Sequence, residues 1–78
     1  MEKTMNRIVS YSLFVRRYNT RQSFDSLEEL KHEVSRYFLA REKYIVDRLT
    51  DFRYAKFNEY GYSKNSYQDF EVYAYLEV

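Results

Sequence analysis

Apolar and polar side chains alternate from residue 7 to residue 18. Val9, Tyr11, Leu13 and Val15 fall on one side, and Ser10, Ser12, Phe14 and Arg16 on the other. A period of two is that of a strand with one dry face, so this stretch predicts a β-strand with the first set turned inward. Phe14 is the exception, a large apolar ring on the wet side. Residues 19–24 are polar and read as a loop. The period then lengthens. Leu27, Leu30, Val34, Tyr37, Phe38 and Arg41 share one face at three- and four-residue spacing, which predicts a helix to about residue 40. Its start is well marked: Ser26 and Glu29 have the spacing of a capping box, and Asp25, Glu28 and Glu29 suit the positive end of the helix dipole.

Residues 41–51 carry two signals. Nothing between Ala40 and Asp51 breaks a helix, and Lys43 with Asp47 makes an i,i+4 pair, although in the less favourable order. Tyr44, Ile45 and Val46 have strand character. A second, shorter helix is expected here. Residues 52–62 and 67–78 read as a closing hairpin. In the second strand Phe70, Val72, Ala74, Leu76 and Val78 alternate with Glu71, Tyr73, Tyr75 and Glu77; in the first, Ala55 and Phe57 oppose Tyr54 and Lys56. The turn is expected at Ser63-Lys64-Asn65-Ser66, where Asn tolerates a left-handed backbone.

The order β-α-(α)-β-β predicts an α+β fold, with a three-stranded, mainly antiparallel sheet and a helix packed on one face. A right-handed crossover joins the first strand to the hairpin. Antiparallel sheets tolerate a wet second face. That face is expected to gather Phe14, Arg16, Tyr54, Lys56, Tyr73 and Tyr75 as a binding surface. If residues 41–51 fold across it instead, these rings become core and the surface disappears.

Composition sharpens this picture. One glycine, no proline and no repeat agree with a single domain over residues 1–78, with 1–5 loose. A domain of this size buries only roughly 60% of its unfolded surface, so a bound partner or self-association is a natural source of added stability. Ten Tyr and six Phe outnumber Val, Ile and Leu together. Tyrosine joins an apolar ring to a hydroxyl and suits half-wet surfaces, and Tyr and Arg are the types enriched at binding hot spots.

Charge and chemistry mostly exclude. A net charge of +1 is too small for general polyanion binding. There is no cysteine and one histidine, and the carboxylates lack calcium-loop spacing, so neither metal nor cofactor is expected. Nucleophilic catalysis needs an activated Ser or Cys, and the one histidine, His32, falls on the polar helix face among Glu28, Glu29 and Arg36 as a solvated surface residue. Glu28 and Glu29 are accounted for by capping, and Asp47 and Asp51 by a polar helix face. No catalysis is expected. No apolar stretch has the length of a membrane span and no signal peptide is visible, which points to a cytoplasmic protein without a membrane partner.

The expectation is a non-enzymatic protein-binding module that docks a foreign protein or its own copy as a homodimer. In size and style it is like the small accessory regulators and inhibitors that bacteriophages and mobile elements direct at larger machines, and no motif places it in a named family. The alternative is RNA or single-stranded nucleic acid stacked on the same face. Against it, Tyr54-Ala55-Lys56-Phe57-Asn58 lacks the aromatic-glycine signature of RNA-recognition sheets. Glu71 and Glu77 also flank Tyr73 and Tyr75, where they repel phosphate.

Overall fold

A computed structural model describes residues 7–38 and 43–77. The fold is α+β, with an antiparallel sheet and two helices. The described residues form four strands where three were expected: β1 (Ile8–Val15), β2 (Thr20–Phe24), β3 (Tyr62–Tyr67) and β4 (Phe70–Leu76), with α1 (Leu27–Ser35) and α2 (Lys43–Leu49) between β2 and β3. The order across the sheet is β2-β1-β4-β3, every neighbour antiparallel.

The added strand is β2, which comes from the stretch expected to be a loop. Asn19 adopts φ 53° and donates its N–H to the Arg16 carbonyl, so the chain reverses at residues 16–19 and runs back along β1. The hairpin β3–β4 is also displaced. Its turn is Gln68-Asp69, and Ser63-Lys64-Asn65-Ser66 lies inside β3. Neither turn residue has positive φ, which removes the usual Asn/Gly signal of a two-residue hairpin. The guanidinium of Arg16 braces it from the neighbouring strand end, donating from Nη1 to the carbonyls of Tyr67 (2.7 Å) and Gln68 (2.6 Å). Asn65 serves a different role from the expected turn residue: its Nδ2 donates to the carbonyls of Leu49, the last residue of α2, and Asp51 just after it.

Both helices pack on one face. Leu30 and Val34 of α1 meet Ile45, Val46 and Leu49 of α2 over Leu13, Val15, Phe70, Val72 and Ala74 of the sheet. Residues 43–49 are therefore helical, as expected, and they cover the core face. Val9, expected inward, is turned out at 38% exposure, because the β1–β4 register shifts between Ile8 and Ser10 and Ile8 packs against the core in its place. Tyr37 and Phe38 lie past the end of α1 yet still pack on Phe70, with ring centroids 5.4 and 4.9 Å away. Residues 1–5, Arg41 and Val78 lie outside the described residues.

Candidate functional site

The face away from the helices carries the candidate site. Strand pairing sets its rows: Arg21 and Ser23 on β2, Ser10, Ser12 and Phe14 on β1, Glu71, Tyr73 and Tyr75 on β4, and Tyr62, Lys64 and Ser66 on β3. Among the expected residues, Phe14, Arg16, Tyr73 and Tyr75 come together here. Tyr54 and Lys56 do not. They sit in the irregular segment after α2, exposed, with Tyr54 at 88% and stacked by its own neighbour Arg53. Ala55 and Phe57 turn inward onto the core, which fixes that segment without making it a strand. In place of Tyr54 and Lys56 the sheet supplies Arg21, Tyr62, Lys64 and Ser12. Arg21, Tyr62 and Lys64 escaped the sequence pattern because each reaches the face only through the register of an edge strand, whereas Ser12 was already on this side of β1 by alternation.

The rings form one connected layer. Tyr73 and Tyr75 lie parallel within 10° at 6.2 Å, and Tyr62 tilts against both, at 5.7 and 6.1 Å. Arg21 lays its guanidinium over Tyr73 at 4.7 Å and Phe14 at 5.3 Å, a cation–π arrangement. Ser12, only 1% exposed, lies beneath them. Its Oγ accepts from Arg21 Nη1 at 3.1 Å and shares a hydrogen bond with the Tyr75 hydroxyl at 3.0 Å. At the other end Glu71 accepts from the Tyr73 hydroxyl at 2.6 Å and from Arg16 Nε and Nη2 at 3.2 and 2.7 Å. The four rings are half-buried, and neither described helix covers them.

No family model, curated protein or solved structure matches the chain.

The hydrogen bonds fix the charge states. The Tyr73 hydroxyl and then the Arg16 guanidinium hold the Glu71 carboxyl below the usual carboxylate range. Burial, together with Glu71, pushes the Tyr73 phenol up. Glu71 is thus an occupied anion. Across the face the cations Arg16, Arg21 and Lys64 stand against Glu71, and Glu77 at the end of the row pairs with the exposed Arg7 at 3.3 Å. Three other carboxylates serve local structure. Asp47 pairs with Lys43 at 3.0 Å, Asp51 with Arg53 at 3.0 Å, and Glu29 reaches the Asp25 N–H at 3.4 Å. His32 is exposed on α1, away from this face.

A pH dependence follows. Arg53 holds the Asp51 carboxyl down to about 2, and Glu71 is depressed in the same direction. A carboxylate with a lowered folded pKa stabilises fully above its unfolded value of ~4, and that contribution fades as pH falls through the folded value. Urea midpoints are expected to decline steadily from about pH 5 towards 2. Glu71→Gln should start lower at neutral pH and decline less steeply. A Glu71→Gln curve parallel to wild type at every pH would show that the carboxylate is not engaged in solution.

Proposed function

We propose that this protein is a non-catalytic binding module whose open sheet face docks a protein partner, in the manner of a small accessory regulator. The observation that carries the reading is the occupancy of the rings. One face of Tyr73 is under Arg21, and Tyr75 lies parallel beside it. What remains for a partner is a pre-ordered surface of ring edges, hydroxyls and cationic heads, the composition of an interface centre. Pre-ordering matters because less side-chain freedom is lost on binding.

The same observation weighs against base stacking, which needs an open ring face. One feature favours nucleic acid more than the sequence did: Glu71 is neutralised by Arg16, while Arg21 and Lys64 join the face. Affinity capture from cell extract with and without nuclease separates the two. Tyrosine nitration of the captured complex then locates the contact. Tyr62, Tyr73 and Tyr75 are expected to lose reactivity on binding, while Tyr54 and Tyr60, 88% and 78% exposed, keep theirs. If all five nitrate as they do in the free protein, docking is elsewhere.

A further inference from the structure

We propose that the partner presents a carboxylate to Arg21, so that the open face reads an acidic protein segment with apolar flanks. This rests on the docking role of that face and names the chemistry of what it takes. Among the described residues, Arg7, Arg16, Arg17, Arg36 and Arg53 each pair with a carboxylate within 4.0 Å, whereas Arg21 and Arg48 do not. Arg48 lies exposed on α2. Arg21 is different: its guanidinium is pinned over two rings and tied to Ser12, with no carboxylate of the described residues within 4.0 Å. A planar fork fixed in this way matches a carboxylate bidentately and loses little freedom in doing so. Lys64, opposite Tyr73 on β3, adds a second positive charge, and the hydroxyls of Tyr62 and Tyr75 belong to the same layer.

Charge complementarity also selects among occupants. A second copy laid on this face sets Arg21 and Lys64 against their own counterparts, and the carboxylates in the β4 row are already held, Glu71 by Arg16 and Tyr73 and Glu77 by Arg7. Like charges across an interface are unfavourable, so self-pairing is the poorer solution. A nucleic-acid strand supplies anions but finds the Tyr73 ring occupied. An acidic segment with apolar neighbours satisfies both the cations and the rings.

A displayed library of random peptides, selected on the wild-type protein, tests this. Survivors are expected to be enriched in Asp and Glu and to lose affinity on Tyr75→Ala. On Arg21→Gln they should weaken roughly tenfold or more, with partial recovery on Arg21→Lys. Replacing their acids by Asn and Gln should weaken binding to wild type by a similar factor, and Lys64→Gln should lower the acid preference without unfolding an edge strand. Survivors that need Tyr75 but are neutral, or are indifferent to Arg21→Gln, overturn the acidic partner and leave the docking face standing. Survivors indifferent to Tyr75 and Arg21 alike overturn both. An empty selection overturns the acidic partner as well; single-stranded oligothymidylate binding the face in that case assigns the cations to phosphate.

Discussion

Replacing Leu13 by alanine is expected to remove much of the stability of this domain. Leu13 is fully buried in β1, opposite Gln22 on one side and Val72 on the other, and belongs to the cluster formed with Leu30, Val34 and Leu49. Truncating such a side chain loses its transfer energy and leaves a cavity that close-packed neighbours fill only in part, at about 2–5 kcal/mol. A domain of 78 residues has roughly 4–12 kcal/mol in total at the usual per-residue stability. The melting temperature should fall by on the order of 10–30 °C, with an unchanged denaturant slope. Tyr54→Ala is the matched control, because an 88% exposed ring off the sheet should shift stability by no more than ~0.5 kcal/mol. Equal effects from the two substitutions would mean that β1 does not run through the core as described.

Leu13 and Tyr54 also differ in what fixes their places, local pattern for the first and tertiary contacts for the second. Where one residue's role is set by its near neighbours, the pattern was sufficient. Ser26 accepts the Glu29 N–H at 3.1 Å and starts α1, although the Glu29 carboxylate reaches Asp25 and leaves the box half-formed. Phe70, Val72 and Ala74 are buried and Glu71, Tyr73 and Tyr75 face the other way, as alternation requires. Where the role depends on a partner far along the chain, the pattern was silent. Thr20–Phe24 is an edge strand with only Phe24 partly buried, so its composition is that of a loop. The Gln68-Asp69 turn is braced by Arg16 from another strand, and Asn65 is used by the end of α2. These tertiary contacts carry no local signature. For the same reason half of the open face was legible, namely Phe14, Arg16, Tyr73 and Tyr75. Arg21, Tyr62 and Lys64 needed the register of the two outer strands.

The second large effect is expected on binding. Tyr73→Ala and Tyr75→Ala should each weaken capture of the protein partner by roughly 30-fold or more, the scale of an interface hot spot. Each removes a half-buried ring, and Tyr75→Ala also leaves Ser12 with Arg21 alone and uncovers Tyr62. The stability cost should stay near ~1 kcal/mol, well below that of Leu13→Ala, since the rings lie outside the helix-covered core. Because the two rings lie parallel at 6.2 Å, the double variant should lose less than the product of the single losses. Tyr75→Phe separates ring from hydroxyl: it keeps the packing and deletes only the bond to Ser12, so it should retain most of the affinity. Circular dichroism and urea midpoints on the same samples decide the interpretation. If either alanine variant unfolds the monomer, the rings are structural and the open face is not a docking surface. If both fold and bind within a few-fold of wild type, the partner contacts some other part of the molecule.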